Sequence, residues 1–510
     1  MQVQKSFETL LKKFPKQKPG FADIKNSYHE LCIADDRSLS KLKKDKAIPV
    51  KLWEGFELSD KEPAKAIHIP HGIDQNYSLL VYKNGIDVFF IHEAIRKNFN
   101  FDGTKTSQLW LDLNHLDSKQ SIKIIEAIAN YLELLAYKNP VYGKKAKSSS
   151  KKQPLVEVYI HAKLKQEIVQ SHYQLGQKQA QATNLVRYLA EMPGNELRPS
   201  NYLTIIKELS KKWGAQVSFL NQTDLKKKNA NAFLAVVRSN PSEPYGIVHL
   251  KYKPKTKASS QKIALVGKGL CFDTGGYNIK TGHYMFDMHR DMTGSAVALA
   301  TFGLLCETST KHEVHAFLAL AENLISPSAY RPNDVVVASN GLSIEVVDTD
   351  AEGRMALSDT LVIANETSPD LIIDFATLTG AAVRAIDTRR SAVFSNRESL
   401  LKTAQLAGDE TGERVWGFPI GGDYWEQLSS EVADLRQCAS GNNSDHIYAA
   451  TFLSAFVKPE TPWLHVDLVC ESNKGGLGLC TKEVNGFGVR LAQKIIDTFK
   501  PEKPSKKAKK

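Results

Sequence analysis

The C-terminal two thirds of the chain alternate short apolar runs with longer amphipathic stretches. The apolar runs lie at residues 245–252, 262–267, 313–320, 343–347, 371–376 and 463–469. Nearly continuous apolar runs of this length are typical of strands buried on both faces of a sheet. Helical patterns separate them, as at residues 294–308 and 354–367. The alternation predicts an α/β fold with a mainly parallel central sheet flanked by helices.

The N-terminal part mixes short strands and helices, and residues 121–137 carry apolar side chains at helical spacing. Residues 155–162 read as a strand that still belongs to this first region, and residues 171–193 as a long helix that connects two domains. We therefore predict a smaller N-terminal α/β domain and a larger C-terminal α/β domain. The predicted parts are residues 1–165, a linking helix at 166–190, the larger domain at 191–500 and a basic tail at 501–510.

Composition excludes several classes of protein. The 510 residues are 42% hydrophobic and 24% charged, which is ordinary for a globular chain and excludes disorder of the whole chain. A membrane-spanning helix needs about 18 consecutive apolar residues, and no apolar run in the sequence comes near that length. The first twenty residues lack the features of a secretory signal. Six cysteines without a C-x-x-C pair argue for free thiols in a reducing compartment and against a cysteine zinc site. We expect a cytoplasmic protein without a membrane partner.

The net charge of +11 is concentrated in two short segments. Residues 138–152 hold six Lys and no acid, and residues 501–510 hold five Lys and one Glu. Both segments are poor in apolar residues, so we interpret them as a flexible Lys-rich tract and a disordered tail. Basic tracts also bind nucleic acid, and an additional nucleic-acid-binding role remains the alternative function. Without a zinc-finger or RNA-recognition pattern, nucleic acid is not an expected partner.

Acidic and Lys residues cluster where predicted strands end. The strand at 262–267 runs into Lys268, Asp273 and Lys280, and two glycines between Asp273 and Lys280 allow a close turn around a ligand. Asp291 stands just before the helical pattern at 294–308, where a helix N-cap is the alternative role.

A third cluster follows the strand at 343–347, where Asp348, Asp350 and Glu352 recur at a spacing of two and Arg354 begins a helical pattern. In extended backbone, residues two apart face the same side, so Asp350 and Glu352 are expected to converge on one point. Converging carboxylates near a sheet need positive charge, and divalent metals supply it. The acids of the three clusters could bridge two Mg, Mn or Zn ions roughly 3.5–4 Å apart.

These clusters closely resemble the leucine aminopeptidase family of hexameric, di-zinc cytosolic aminopeptidases. The resemblance spans roughly residues 178–498, and the N-terminal region matches in plan alone. The matching segments are residues 192–200, 267–280, 291–296, 321–335, 348–354 and 374–382. The larger domain is therefore identified as a di-metal aminopeptidase domain.

The resemblance implies a ligand set for two metal ions. Lys268, Asp273, Asp291 and Glu352 would hold the tighter ion, with Lys268 as a neutral amine of strongly lowered pKa. Asp273, Asp350 and Glu352 would hold the exchangeable ion. Zinc is expected, with Mn, Co or Mg at the exchangeable site, and a hydroxide between the two ions would be the nucleophile.

The resemblance also implies roles for groups around the metals. Arg354 would anchor a bicarbonate that serves as general base, and Lys280 would stabilise the oxyanion. The free α-amine of the substrate would lie near Asp291. The substrate would therefore contact several of the metal-binding residues as well as the pocket for its first side chain. The residues expected to bind substrate are Lys268, Asp273, Lys280, Met288, Asp291, Thr377, Leu378 (through its backbone carbonyl) and Gly380.

The expected function is hydrolysis of the N-terminal residue of peptides, preferably Leu and other apolar residues. A homohexamer built as a dimer of trimers is implied by the family. The chain departs from the family pattern at Asp348, where Asn is usual, at Tyr277 and Asn278, and at Val469-Cys470 near the side-chain pocket. None of the expected metal or catalytic positions is altered.

Overall fold

The structure is a computed structural model of the full chain. It describes residues 28–38, 42–43, 53, 56–70, 75–99, 108–144, 156–240, 243–254, 261–439, 441 and 444–501. Residues 145–152 of the Lys-rich tract and residues 502–510 of the tail lie outside the described residues. Across the described ranges, no helix has the length and apolar character needed to cross a membrane.

The chain packs into two compact units. Unit 1 comprises Met1–Asn184 and Lys474–Glu483, and unit 2 comprises Leu185–Asn473 and Val484–Lys510. The chain therefore passes from one unit to the other inside the long helix that the sequence predicts, and a short segment near the C-terminus returns to unit 1.

Unit 1 is built on a five-stranded sheet in the order β2-β3-β1-β4-β5, in which β2 at the edge is antiparallel and the other strands are parallel. Its strands are β1 (Tyr28–Asp35), β2 (Ala64–Pro70), β3 (Gln75–Tyr82), β4 (Gln108–Asp112) and β5 (Glu157–His161). Its helices are α1 (Val88–Asn98), α2 (Ser118–Ala136) and α3 (Gln166–Ala190), the last extending into unit 2.

Helix α2 shows why this unit has a core. Its apolar residues Ile124, Ile125 and Ile128 recur at helical spacing and pack in one buried cluster with residues of β1 and β4. The helix begins at a capping box, in which Asp117 accepts a hydrogen bond from Gln120 N and the Gln120 side chain accepts one from Asp117 N.

Unit 2 is built on an eight-stranded sheet in the order β14-β13-β16-β12-β8-β9-β7-β6. The strands are β6 (Gln216–Asn221), β7 (Gly246–Tyr252), β8 (Lys262–Asp273), β9 (Glu313–Asn323), β12 (Leu371–Ala376), β13 (Ser391–Ser395), β14 (Val415–Gly417) and β16 (Trp463–Asp467). The central strands β16, β12, β8 and β9 are parallel, and antiparallel pairs lie toward the edges. The predicted α/β class with a mainly parallel central sheet is confirmed.

Helices cover this sheet. They are α4 (Pro199–Trp213), α5 (Gln222–Lys227), α6 (Asn231–Val237), α7 (Thr293–Glu307), α8 (Glu352–Asn365), α9 (Gly380–Ile386), α10 (Glu398–Thr411), α11 (Asp445–Ser454) and α12 (Val489–Thr498). Short 3₁₀ helices of the chain lie at Asp36–Ser38, Gly282–Met285, Met288–Arg290, Asp387–Arg389, Gly422–Leu428 and Val469–Glu471. Helices α7 and α8 begin within two residues of the predicted starts.

The strand predicted at residues 343–347 does not belong to the central sheet. It is shorter, β11 (Ser343–Glu345), and pairs with β10 (Val335–Val337) and β15 (Leu435–Arg436) in a separate three-stranded sheet. Of its three side chains, Ile344 is buried while Ser343 and Glu345 are half-buried. A strand of this kind covers one face of a core, whereas the central strands are buried on both faces.

Helix α7 lies unusually close to the central sheet at its first turn. A Cβ atom on Gly294 would stand 2.1 Å from the backbone oxygen of Phe375 in β12, so no larger residue fits without moving the helix or the strand. This contact holds the start of α7 against β12, and Asp291, two residues before the helix, contacts Lys268 of β8 and Thr377 just after β12.

Replacement of Gly294 by Ala is expected to destabilise unit 2 by about 1–3 kcal/mol, because the added methyl group overpacks a contact with rigid backbone. Thermal unfolding of the full chain measures it as a lower midpoint. Gly380→Ala is the matched control, since Gly380 also lies in the first turn of a helix but a Cβ there would have 3.6 Å to its nearest neighbour. Equal losses in both variants would contradict the argument from close packing.

Candidate metal centre

Lys268 is buried at the point where β12 stops pairing with β8. The two strands pair up to Phe375 and Gly267, and Lys268 is the next residue of β8. Its Nζ donates a hydrogen bond to Thr377 O at 3.0 Å, just past the end of β12. A Cβ on Gly353 would lie 2.5 Å from Lys268 Cε, so the glycine in the first turn of α8 makes the space for this side chain.

Two acids contact the ammonium group of Lys268. Its Nζ lies 2.9 and 2.8 Å from the two carboxylate oxygens of Asp291 and 3.0 Å from Glu352 Oε1. Lys268, Asp291 and Glu352 are 3%, 7% and 1% exposed. Helices α7 and α8 therefore bring their N-terminal acids to one lysine of the central strand.

Lys280 is a second lysine among the acids. Its Nζ lies 2.8 Å from Asp273 Oδ2 and 2.5 Å from Asp350 Oδ1. One carboxylate oxygen from each of Asp273, Asp350 and Glu352 lies within 4.8 Å of the other two. The three acids thus converge on one point, as a shared cation would require.

Burial and mutual repulsion change the pKa values of these groups. Burial and the charges of Asp273 and Glu352 raise the pKa of Asp350 to about 7. Burial also raises the pKa of Glu352 and, well above its ordinary value, that of Asp291. The carboxylates are therefore short of positive charge.

The pKa values of the two lysines are raised as well, although burial acts on a lysine in the opposite sense. Burial by itself would lower the pKa of Lys268, but the charges of Asp291, Glu352 and Asp273 raise it above its ordinary value. The same competition raises the pKa of Lys280, next to Asp273, Glu352 and Asp350. Both lysines are ammonium groups at neutral pH when these side chains alone surround them.

Neutral side chains hold the acids in place, and sequence reasoning did not identify them. Asn323 ends β9 opposite Asp273, and its Nδ2 donates to Asp273 Oδ1 at 2.9 Å and to Thr349 O at 3.0 Å. Asn278 N donates to Thr349 Oγ1 at 2.8 Å, and Asn278 Oδ1 accepts from Thr349 N at 3.1 Å. These bonds join the segments that carry Asp273, Lys280 and Asp350.

Gln437 secures the segment before α8. Its Oε1 accepts hydrogen bonds from the backbone N–H groups of Val347 and Asp348, both at 3.1 Å, and its Nε2 donates to Ala351 O at 3.0 Å. Gln437 is fully buried. No local pattern in the sequence marks this residue, because the segment that it holds is more than 80 residues away.

Arg354 lies in the first turn of α8 but points to a different set of partners. Its Nη2 donates to Asp445 Oδ2 at 2.6 Å and its Nη1 to Gln437 O at 3.1 Å. Among the described residues, its buried Nε has no hydrogen-bond acceptor. Arg354 thus lies in the same helical turn as Glu352, and its Nε is a donor without a hydrogen-bond acceptor among the described residues.

Of the further residues expected to bind substrate, Thr377 contacts the acids. Thr377 Oγ1 donates to Asp291 Oδ1 at 2.8 Å, which joins Thr377 directly to the cluster. Met288 is half-buried in the 3₁₀ helix before Asp291, and Leu378 follows Thr377 with its backbone N–H bonded to Asp467 Oδ1 at 3.0 Å. Gly380 is exposed at the first position of α9.

Two local explanations from the sequence differ from the structure. Asp350 and Glu352 converge, but the backbone between them is a turn that enters α8, not an extended strand. The turn is fixed by Asp348 Oδ1, which accepts from Asp350 N at 2.8 Å. Asp291 is not the N-cap of α7, because Met292 holds that position and the carboxylate of Asp291 is bonded to Lys268 and Thr377.

Comparison with known proteins decides the family. The protein-family model described as "Cytosol aminopeptidase family, catalytic domain" matches residues 184–492. The chain belongs to the cytosol aminopeptidase family. The aminopeptidase is 34% identical to a probable cytosol aminopeptidase of Sulfurihydrogenibium sp. (strain YO3AOP1), over 75% of this chain and 77% of the relative. It is 35% identical to one of Synechococcus sp. (strain JA-3-3Ab), over 76% of each chain.

A solved structure supports the same assignment. The cytosol aminopeptidase of Coxiella burnetii matches with a TM-score of 0.76 and 26% identity, over 94% of this chain and 99% of that chain. The chain is therefore an aminopeptidase, a hydrolase of a metal-dependent family, as the resemblance in the sequence implies.

The residues present suit divalent cations. Asp273, Asp350 and Glu352 offer hard oxygen donors that converge within 4.8 Å. Burial and the charges of neighbouring acids raise the pKa values of Asp350 and Glu352, and a cation would neutralise those charges. The metal dependence of the aminopeptidase family thus agrees with the chemistry of this site.

Gln437→Leu, which keeps the side-chain volume but removes three hydrogen bonds to the segment before α8, is expected to weaken metal binding by about 10–100-fold. Activity measured against the concentration of added Zn²⁺ or Mn²⁺ gives this change as a higher half-saturating concentration. Gln177→Leu, a change of another buried glutamine in unit 1, is the control and should leave the curve in place. Identical metal curves for wild type and Gln437→Leu would show that the contact does not position the ligands.

Proposed function

We propose that the enzyme is a leucyl aminopeptidase that removes N-terminal Leu and other apolar residues from peptides with two divalent metal ions. Lys268, Asp273, Asp291 and Glu352 would hold the tighter ion, and Asp273, Asp350 and Glu352 the exchangeable one. Zn²⁺ fits both, with Mn²⁺, Co²⁺ or Mg²⁺ at the exchangeable site. The observation that carries the proposal is the convergence of three carboxylates within 4.8 Å, next to the buried Lys268 and the half-buried Lys280.

The bound ions would supply a hydroxide between them at neutral pH and would polarise the scissile carbonyl. Lys268 has to lose a proton to act as a ligand, although Asp291 and Glu352 alone hold it as an ammonium. Metal binding is therefore coupled to proton release from Lys268.

Lys280 would act on the peptide directly. In the metal-free site, the charges of Asp273, Glu352 and Asp350 overcome the effect of burial and raise its pKa, so that it is a cation there. A fixed ammonium group at this position would stabilise the negative charge that develops on the carbonyl oxygen. Asp291 would orient the free α-amine, which accounts for a requirement for an unblocked N-terminus.

Arg354 would hold a bicarbonate, which would supply the general base. Its buried Nε, with no hydrogen-bond acceptor among the described residues, supports an anion beside it. Asp445 already bonds to Nη2 at 2.6 Å, so this carboxylate would compete with an anion for the same guanidinium.

Met288, Thr377 and Gly380 would line the pocket for the first side chain, and the carbonyl of Leu378 would accept a hydrogen bond from the substrate. Contact between Thr377 and Asp291 supports this arrangement, since it joins the pocket to the α-amine position. We further propose a cytoplasmic homohexamer, a dimer of trimers. The alternative nucleic-acid role has no support in the comparisons, and most of the basic residues behind it lie outside the described residues.

Hydrolysis of leucine amide tests this function. After chelation, activity is expected to return on addition of Zn²⁺, Mn²⁺, Co²⁺ or Mg²⁺ and to be absent with an N-acetylated substrate. Asp350→Ala should lower kcat/KM by more than about 100-fold, since even groups behind a metal ligand contribute 10–100-fold. Asp348→Asn is the control, because Asn can accept the same hydrogen bond from Asp350 N. Full activity after chelation, or of Asp350→Ala, would rule out the proposed centre.

Removal of the competing carboxylate of Asp445 tests whether Arg354 binds bicarbonate. Asp445→Asn is expected to lower the bicarbonate concentration for half-maximal activation by roughly ten-fold, as a charge-assisted hydrogen bond is worth about 1.5–3 kcal/mol. Initial rates in bicarbonate-depleted buffer, with bicarbonate added back, give that concentration. Arg354→Ala should lose the activation, and an unchanged response of both variants would exclude Arg354 as the anchor.

A further inference from the structure

The sheet of unit 1 brings together three metal-binding side chains that the aminopeptidase reaction does not use. Strands β1 and β4 are parallel neighbours, and Cys32 pairs with Asp112 in their register. Leu31 and Ile33 of β1 pack in the buried cluster that includes Leu109 and Leu111 of β4. Because side chains alternate along a strand, Cys32 and Asp112 extend from the opposite face of the sheet.

The third side chain comes from the loop that follows β4. Ser38, just after β1, donates a hydrogen bond from Oγ to His115 O at 3.0 Å, which ties this loop to β1. The donor atoms of Cys32, Asp112 and His115, one from each, all lie within 4.8 Å of one another. Cys32 and Asp112 are 80 positions apart, so no spacing in the sequence announces the group.

Neighbouring polar groups hold the carboxylate of Asp112. Asn114 donates to Asp112 Oδ1 from its backbone N at 3.0 Å and from its Nδ2 at 2.8 Å. The same Nδ2 lies 2.7 Å from His161 Nδ1, and that imidazole nitrogen is 3.8 Å from Asp112 Oδ1. A ligand carboxylate oriented by an amide, with a second histidine beside it, is the usual surrounding of a metal site.

We propose that Cys32, Asp112 and His115 form a binding site for a divalent transition metal, Zn²⁺ in particular, in unit 1. A thiolate, an imidazole and a carboxylate are the donor types that Zn²⁺ takes in proteins. Bonds of about 2.0–2.3 Å to one ion require the donor atoms to approach one another by up to about 1.5 Å. Three protein ligands leave a fourth position, which water or the exposed His161 fills.

The experiment is a Co²⁺ titration of the full-length enzyme after chelation, followed in the near ultraviolet. A cysteine thiolate bound to Co²⁺ gives an intense charge-transfer absorption, and the lysines and carboxylates of the aminopeptidase centre cannot give one. We expect this absorption to saturate at about one ion per chain and to disappear when Zn²⁺ is added. Total Zn²⁺ after dialysis is expected at about three ions per chain, two of them at the aminopeptidase centre.

Variants separate the site from other cysteines. Cys32→Ser should abolish the absorption and lower bound Zn²⁺ by about one ion per chain. Cys480→Ser is the matched control, since Cys480 is also buried in unit 1 but lies outside the group. It should leave the absorption unchanged.

His115→Ala keeps the test decisive if Cys32→Ser does not fold, because His115 is only half-buried. It should fold by circular dichroism, keep leucine amide hydrolysis, and lose most of the absorption. Absence of the absorption in the wild type, or its persistence in folded Cys32→Ser or His115→Ala, would overturn the proposal. The Co²⁺ absorption and the loss of one bound Zn²⁺ do not depend on activity. They therefore test this site independently of the proposed reaction.

Discussion

The balance of charge at the end of β8 is the constraint on which the structure of unit 2 depends. Four carboxylates, those of Asp273, Asp291, Asp350 and Glu352, face the ammonium groups of Lys268 and Lys280. Buried like charges are costly, and burial together with neighbouring charges raises the pKa values of Asp291, Asp350 and Glu352. Two lysines compensate two of four negative charges, so the fold retains a deficit that divalent cations are suited to fill.

The fold holds these charges with neutral groups. Asn278, Asn323 and Gln437 donate to or accept from the segments that carry the acids, and none of them adds a charge. An additional lysine or arginine would have compensated the carboxylates directly and weakened their attraction for metal ions. Amide side chains fix position without that effect. Asp348 fits the same logic, since its Oδ1 bonds to Asp350 N as an asparagine oxygen would.

The sequence predicts most of the centre because its acids lie close in the chain to the ends of strands and the starts of helices. The apolar runs at 262–267 and 371–376 correspond to β8 and β12. The second run ends just before Thr377, as in the structure, whereas β8 continues past Lys268 to Asp273. The separate sheet of β11 was missed because a three-residue strand carries too little pattern. Gln437 and the pairing of Arg354 with Asp445 were missed for another reason, since both join segments more than 80 residues apart.

Parallel sheets explain why such distant residues meet. Neighbouring parallel strands end at the same edge, so residues far apart in the chain become neighbours by register: Asp273 with Asn323 in unit 2, and Cys32 with Asp112 in unit 1. The two cases differ in donor chemistry. Oxygen donors of like charge in unit 2 repel until a cation enters, whereas unit 1 brings together a thiol, an imidazole and one carboxylate. A family pattern reveals the first arrangement, because its acids also recur at short spacing. The second depends on the register of β1 with β4 and on the loop after β4, and no short spacing in the chain marks it.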